Sequence, residues 1–174
     1  MKDLMIDLET LGTSNNALIT QIGACFFDRK TGEIGKQFLI NIDIQSGIDA
    51  GFTIDGGALA FWFDQPRESA TFLNAPVSVD VAAHRFFSFA KNAKHVWSHA
   101  TFDFCLISNF YNRMKMQMPF HYSSTKDIRT LVELAGFTRE DDAIRSDAHD
   151  ALKDCIYQVG YCVKAINKLL EVKQ

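Results

Sequence analysis

The chain has 174 residues, of which 47% are hydrophobic and 22% charged, as expected of a globular domain that folds without disulfides or a structural metal. Its net charge of −3 excludes a protein that binds nucleic acid chiefly through a basic surface. No apolar run approaches the ~18 residues of a membrane span, and the N-terminus lacks a signal-peptide pattern, so we expect a cytoplasmic protein without a membrane partner.

The cysteines lie among apolar residues and form no C-x-x-C pair, which predicts buried thiols in a reducing compartment: Cys25, Cys105, Cys155 and Cys162.

The N-terminal part of the chain has the pattern of three β-strands. Strand-like runs occupy residues 4–9, 17–28 and 34–42. Turn-forming residues separate these runs, around Gly12 and at 29–33. Consecutive strands joined in this way pair antiparallel, so the pattern predicts a three-stranded meander.

The rest of the chain alternates helical and strand-like segments. The predicted helices span residues 54–64, 67–74, 77–92, 102–111, 129–135 and 150–172; a brief strand spans 95–98, and a strand or helix start spans 125–128. Apolar residues mark the predicted buried faces of the third and last helices: Val81, Phe86, Phe87, Phe89 and Ala90, and Ile156, Val159, Val163, Ile166 and Leu170. This order of elements predicts one α/β layered domain over residues 1–174.

Two acids interrupt the apolar run of the first strand. Residues i and i+2 of a strand point to the same face, so Asp7 and Glu9 project side by side. Like charges this close raise each other's pKa and destabilise the fold unless something positive lies between them. A solvated edge strand is the alternative interpretation, but Ile6 and Leu8 require burial of the opposite face.

Two later segments place ionisable residues at helix starts. Asp103 follows a predicted strand and opens a helix, where an acid also complements the helix dipole. Asp150 and Asp154 lie one helical turn apart on the last helix, and His149 immediately precedes it. Taken separately, these residues could be capping acids, a solvated charge and a loop residue. Their joint occurrence at these spacings favours a functional cluster.

Together these segments resemble the three motifs of the DEDDh 3′–5′ exonucleases. The motifs occur in order as Asp7-x-Glu9, Phe102-Asp103 and His149-x-Ala151-x-x-Asp154. Finer features at 7–12, 54–65 and 126–130 resemble the exonuclease VIII-type phage enzymes and the RNase AS-like exoribonucleases. The resemblance spans essentially the whole chain. It departs at His99, where many members of the superfamily carry Asn four residues before the second-motif Asp.

The resemblance implies a ribonuclease H-like three-layer α/β fold. The sheet would be mixed and five-stranded, with its first three strands antiparallel and helices on both faces. The implied activity is metal-dependent 3′–5′ hydrolysis of single-stranded RNA or DNA ends, releasing 5′-mononucleotides. Since relatives are often dimers, a homodimer is a further expectation.

The resemblance also assigns catalytic roles. Asp7, Glu9, Asp103 and Asp154 would hold two divalent cations, Mg²⁺ or Mn²⁺, with Asp7 bridging them. Such cations prefer carboxylate oxygens, and two of them ~3.5–4 Å apart can stabilise both the attacking and the leaving oxygen. They would change the net charge from −3 to about +1, so that the loaded protein accepts a polyanion. His149 would be the general base, because imidazole ordinarily exchanges a proton near neutral pH.

Further residues are candidate substrate contacts. By resemblance, Thr10 and Leu11 would pack on the terminal nucleotide. Phe102 and Trp62 could stack on a base, a contact that contributes ~1–3 kcal/mol where it forms. Most of the 15 Phe of the chain, however, are expected in the core.

Several alternatives stay open at this level. Arg129 could contact a phosphate or pair with Asp127. No identified residue reads a 2′-hydroxyl, so RNA and DNA are both candidate substrates. A binding module of the same fold is disfavoured because all five active-site positions are present. A phosphodiesterase acting on very small oligonucleotides would fit the lack of a basic channel.

Overall fold

The computed structural model describes residues 1–137 and 149–171, and three consecutive strands precede the helices and the last two strands. The strands are β1 (Asp3–Thr10), β2 (Ile19–Phe27), β3 (Ile34–Asn41), β4 (His95–Ser98) and β5 (Thr125–Asp127). The helices are α1 (Ile44–Asp49), α2 (Gly56–Asp64), α3 (Val79–Ala90), α4 (Asp103–Arg113), α5 (Ile128–Leu134) and α6 (Ala151–Glu171). None of the helices in these ranges is long and apolar enough to cross a membrane.

The five strands form one mixed sheet in the order β3-β2-β1-β4-β5. β1 pairs antiparallel with β2, and β2 pairs antiparallel with β3, which confirms the predicted meander. β4 runs parallel to β1, and β5 runs parallel to β4. The carboxyl ends of β1, β4 and β5 therefore meet at the same edge of the sheet, where α/β proteins usually bind ligands.

The alternation of β1 separates the two helical layers. Leu4, Ile6 and Leu8 belong to the larger core cluster, which includes buried residues of α3 and α4. Met5 points the other way and packs with buried residues of α5 and α6. Helices on both faces of the sheet confirm the predicted three-layer α/β fold. Asp7 and Glu9 share the face of Met5, because side chains of a strand alternate with a period of two.

The first turn of α6 lies directly against β2. A Cβ atom on Gly23 would stand 2.1 Å from the backbone carbon of Ala151 and 2.3 Å from its oxygen, so only glycine permits this approach. The buried side chain of Gln21 accepts a hydrogen bond from the Ala151 N–H at 2.8 Å, which satisfies a backbone donor that a helix start leaves unpaired. Gly23 and Gln21 pair with Asp7 and Glu9 in the register of β2 with β1. The start of α6 is therefore fixed beside the acids of β1.

One prediction about the helices between β3 and β4 was wrong, and one helix was missed. The single helix expected at 67–74 is instead two short 3-10 turns, Arg67–Ser69 and Thr71–Leu73, in a segment bounded by Pro66 and Pro76, and prolines interrupt helical hydrogen bonding. Helix α1 was not predicted, because its six residues include Ser and Gly and show no apolar period. Its start did carry a signal, since Asp43 accepts a hydrogen bond from Ser46 N at 2.7 Å as an N-cap.

Some predicted core positions are exposed. Val81, Ile156 and Leu170 lie outside the buried stripes of their helices, with 38%, 38% and 50% of their surface accessible. Cys105 is exposed on α4, whereas the other three cysteines are buried as predicted. The predicted end of the last helix at Val172 lies outside the described residues.

The close approach at Gly23 gives a stability prediction. Gly23→Ala should lower the free energy of unfolding by ~2 kcal/mol or more, because its Cβ meets backbone atoms of α6 that cannot rotate away. Urea denaturation measures the change. Gly56→Ala is the matched control, because a Cβ at Gly56 meets nothing within 4 Å; it should change the stability by less than ~0.5 kcal/mol. Equal stability of the two variants would contradict the packing of α6 on β2 described here.

Candidate active site

The acidic residues near the carboxyl end of β1, Asp7 and Glu9, lie next to α6. Glu9 is buried, with 8% of its surface accessible, and Asp7 is partly buried. The side chain of Gln158 on α6 donates a hydrogen bond to Asp7 Oδ1 at 2.7 Å. The sequence prediction that the two acids project side by side thus corresponds to a site enclosed between β1 and α6.

Asp103 enters the site from the junction of β4 and α4. It is the first residue of α4 and has 2% of its surface accessible. The backbone N–H of His99, immediately after β4, donates to Asp103 Oδ2 at 2.9 Å. The sharp turn between strand and helix therefore holds this carboxylate at the carboxyl end of β4.

The start of α6 supplies the remaining residues of the motif. His149 has a φ of +69°, a left-handed conformation that is uncommon for residues other than glycine, and its N–H donates to Asp154 Oδ2 at 2.9 Å. Asp150 accepts from the Lys153 N–H at 3.1 Å, so it acts as the capping acid of the helix. The two acids that the sequence places one turn apart thus have different surroundings.

The ionisable side chains form two overlapping groups. Oxygen atoms of Asp7, Glu9 and Asp154 all lie within 4.8 Å of one another. Asp7 and Asp103 also form such a group with a ring nitrogen of His99, within the same limit. Either group could hold a cation, and Asp7 belongs to both.

Burial and mutual repulsion shift the acids away from their ordinary titration range. Burial raises the pKa of Asp7 well above its usual value, and the charges of Asp103, Glu9 and Asp154 raise it further. Burial, followed by the charges of Asp154 and Asp103, raises the pKa of Glu9 to about 8. Burial also raises the pKa of Asp103 to about 7, against the lowering effects of the His99 N–H and the Arg129 charge. Without a cation, the site therefore resists full ionisation at neutral pH.

A third acid on the same face of β1 shows the contrast. Asp3 receives a bidentate ion pair from Arg29, with nitrogen–oxygen distances of 2.6 and 3.0 Å. The indole N–H of Trp97 donates to Asp3 Oδ1 at 2.9 Å. Arg29 thus neutralises the acid at one end of the strand. At the other end, burial and neighbouring carboxylates are the largest influences on the pKa of Asp7 and of Glu9, and both raise it.

A cavity of about 1320 Å³ opens from the acids and continues between α5 and α6. Its lining includes Phe102 and Arg129, two of the candidate substrate contacts. Asp127, the other candidate partner of Arg129, accepts hydrogen bonds from Ala100 N and from the N–H and hydroxyl of Thr130. Phe102 and Arg129 are therefore placed where a ligand of the acids could reach them.

The other candidate substrate contacts, Thr10, Leu11 and Trp62, are not among the described residues that line this cavity. Leu11 is in the core with 3% of its surface accessible. The Thr10 hydroxyl donates to Gly12 O at 2.7 Å, and the Trp62 indole N–H donates to Thr10 O at 2.9 Å. Trp62 also contacts the His149 ring edge-on, with centroids 5.8 Å apart. These residues support the site from the α2 side.

Two residues of the site were missed by the sequence analysis. Phe61 lies against the His149 ring with centroids 5.0 Å apart, and the sequence analysis covered it only within the segment 54–65. Gln158 contacts Asp7 and lies four residues after Asp154, on the same helical face. A polar residue one turn beyond a candidate ligand is a signal that could have identified it.

Comparison with solved structures identifies the class of fold, which is that of exonuclease I. The structure matches product-bound exonuclease I with a TM-score of 0.68 at 16% identity, covering 98% of this chain and 45% of the other. It matches a zinc-bound complex of E. coli exonuclease I with single-stranded DNA with a TM-score of 0.67 at 18% identity, covering 99% of this chain and 41% of the other. It matches a complex of that enzyme with a dA16 oligonucleotide with a TM-score of 0.66 at 18% identity, and the coverage is again 99% and 41%. At these identities the likeness shows the fold, and the chain spans less than half the length of the exonuclease I chains.

The family follows from the sequence. Residues 2–166 match the model of the 3′–5′ exoribonuclease Rv2179c-like domain, and the chain belongs to this family. No curated protein matches the chain in sequence. Family and fold together confirm the prediction of a 3′–5′ exonuclease domain.

The raised pKa values predict how the stability of the cation-free protein depends on pH. Glu9 and Asp103 hold protons in the folded state up to about pH 8 and 7, whereas the unfolded chain releases them near pH ~4. The folded state therefore binds more protons in this range, and the free energy of unfolding in EDTA should fall as the pH rises from 5 to 8.5.

Thermal and urea unfolding across this range measures the slope. One excess proton corresponds to about 1.4 kcal/mol per pH unit, and Glu9→Gln should make the slope shallower. Asp28 and Asp55 have lowered pKa values, so they titrate below this pH range and do not reverse the expected fall in stability. Stability that rises with pH between 5 and 8.5 would contradict the burial of these carboxylates.

Proposed function

We propose that this chain is a metal-dependent 3′–5′ exonuclease that acts on single-stranded RNA or DNA ends and releases 5′-mononucleotides. The observation that carries the proposal is the convergence of Asp7, Glu9 and Asp154 within 4.8 Å, with Asp103 beside Asp7. The fold brings these acids together at the mouth of a large cavity although burial and repulsion oppose their ionisation. Within the family, the phage exonuclease VIII or RNase AS branch remains our expectation.

The donor set fits divalent cations such as Mg²⁺ or Mn²⁺. Carboxylate oxygens are the ligands that these cations prefer. Asp7, Glu9, Asp103 and Asp154 would hold two of them, with Asp7 shared because it belongs to both groups. When bound, such cations stabilise the charge that develops on the attacking and leaving oxygens of a phosphodiester.

His149 is the proposed general base. His149 stands just before α6 and lines the cavity together with Asp7, Glu9, Asp103 and Asp154. The backbone N–H of His149 is tied to Asp154, and the edges of Phe61 and Trp62 pack on the ring. These contacts would orient an imidazole nitrogen to accept a proton from the attacking water.

The substrate would occupy the cavity beside the acids. The charge of Arg129 lowers the pKa of Asp103, and Arg129 lines the cavity, so it would contact a phosphate. Phe102 would offer a ring to a base. We keep Thr10, Leu11 and Trp62 as proposed contacts of the terminal nucleotide, although the burial of Leu11 requires that a nucleotide displace its neighbours to reach it.

Cleavage of end-labelled RNA and DNA tests the proposal. Dinucleotides and strands of about 20 nucleotides are incubated with the protein in Mn²⁺ or in chelator. Stepwise loss of 5′-mononucleotides from a 5′-labelled strand, abolished by chelator, supports an exonuclease. Cleavage of dinucleotides alone would instead indicate a small-oligonucleotide phosphodiesterase, and binding without cleavage would indicate a binding module.

The four acids should be needed for activity and dispensable for folding. Asp7→Ala and Asp154→Ala should each abolish cleavage, while the stability in EDTA is unchanged or higher, because removing one acid relieves repulsion. Mn²⁺ should raise the melting temperature of the wild type, since it binds only the folded site. The exposed acid Glu33 supplies the control Glu33→Ala, which should keep the full Mn²⁺ effect. An equal Mn²⁺ effect in Asp7→Ala would show that the cation binds elsewhere.

The role of His149 can be separated from cation binding. His149→Ala should lower turnover by roughly 10²–10⁴-fold, as expected for a positioned general base, with Mn²⁺ binding nearly unchanged. Asp150→Asn is the neighbouring control, because Asp150 caps the helix, and it should retain most activity. Steady-state kinetics and Mn²⁺ titration of both variants measure these effects. An inactive Asp150→Asn with an active His149→Ala would mean that the motif is misassigned.

A further inference from the structure

His99 lies among acidic side chains at the carboxyl end of β4. One of its ring nitrogens stands within 4.8 Å of carboxylate oxygens of both Asp7 and Asp103. Its backbone N–H donates to the Asp103 carboxylate at 2.9 Å, so ring and carboxylate are fixed on one turn of chain. The Tyr161 hydroxyl lies 3.5 Å from His99 Nε2, and the ring also lines the cavity.

The two groups of candidate ligands differ in chemistry. Asp7, Glu9 and Asp154 offer only oxygen atoms, whereas Asp7, His99 and Asp103 offer two carboxylates and an imidazole nitrogen. Oxygen ligands suit Mg²⁺, Ca²⁺ and Mn²⁺, and imidazole nitrogen suits later transition metals. The affinity of a mixed nitrogen and oxygen site rises from Mn²⁺ through Co²⁺.

We propose that the two cation positions of this site are unequal, and that His99 is a metal ligand that makes the Asp7–His99–Asp103 position selective for a transition-metal dication over Mg²⁺. The all-oxygen position formed by Asp7, Glu9 and Asp154 takes Mg²⁺. This inference rests on the proposed function in that both require cations among these acids. It adds a nitrogen ligand and an order of metal preference.

The surroundings of His99 suit a ligand. A metal-bound histidine usually has a hydrogen-bonding partner for its other ring nitrogen, which fixes the orientation of the ring. The Tyr161 hydroxyl lies 3.5 Å from His99 Nε2 and would have this role with Nδ1 as the proposed ligand atom. The alternative is that His99 only compensates the negative charge of its neighbours, since its charge also lowers the pKa of Asp127. A compensating charge would affect the stability of the cation-free protein without discriminating between metals.

Titration of the full chain with Co²⁺ and with Mg²⁺ tests the proposal without relying on activity. Calorimetry gives the affinity at each position, and the visible absorption of bound Co²⁺ responds to replacement of a nitrogen ligand. His99→Asn should weaken Co²⁺ binding at one position by about tenfold or more and change the Co²⁺ spectrum, while Mg²⁺ affinity changes much less. His99→Phe keeps a ring without a donor and should have the same effect, should the asparagine variant not fold.

His84 on α3 supplies the matched control, because it is exposed and bonds to Asp80 O at 2.8 Å within its own helix. His84→Asn should bind Co²⁺ with the affinity and spectrum of the wild type. If both His99 variants bind Co²⁺ like the wild type, the proposal is overturned while the carboxylate site and the exonuclease function stand. If the wild type binds neither metal, the proposed function falls together with this inference.

Discussion

The contact between the first turn of α6 and β2 is the constraint on which the site depends. Gly23 allows the backbone of Ala151 to approach closer than any side chain would permit, and Gln21 accepts the hydrogen bond of the Ala151 N–H. Because these residues pair with Asp7 and Glu9 on β1, the contact also brings the acids of two distant segments together. Asp154 then lies within 4.8 Å of both β1 acids, and His149 is held at the helix start.

This arrangement opposes stability in the absence of cations. Burial and like charges raise the pKa of Asp7 and raise that of Glu9 to about 8. Asp3, on the same strand, differs because its charge is neutralised by an ion pair with Arg29. An acidic cluster that the fold assembles against burial and mutual repulsion is what a site for divalent cations requires. In the proposed function, bound dications would offset the net charge of −3, so that the loaded protein would accept a polyanion.

Local patterns were enough to predict the parts of the fold and site that depend on a single segment. The meander followed from the spacing of apolar runs and turns, and the shared face of Asp7 and Glu9 followed from the period of a strand. The helix starts at Asp103 and Asp150 followed from capping patterns. The resemblance to known motifs then predicted that these segments would meet.

Features that depend on contacts between distant segments could not be predicted in this way. Nothing local distinguishes Gly23 from any other strand glycine, and its role appears only where α6 crosses β2. The burial of Leu11 and the position of His99 beside Asp7 likewise arise from tertiary packing. Helix α1 was missed because a helix of six residues has little periodicity, and the 3-10 turns at 67–73 replace a helix where flanking prolines outweigh the apolar pattern.

The central claim is that these carboxylates form a cation site. Anomalous diffraction from crystals of the protein grown with Mn²⁺ tests it most directly, since the anomalous signal locates each ion independently of the protein density. We expect two peaks, both within bonding distance of Asp7. One should lie near Glu9 and Asp154 and the other near Asp103. Mn²⁺ bound only at other positions, with Asp7, Glu9, Asp103 and Asp154 left without an ion, would contradict it.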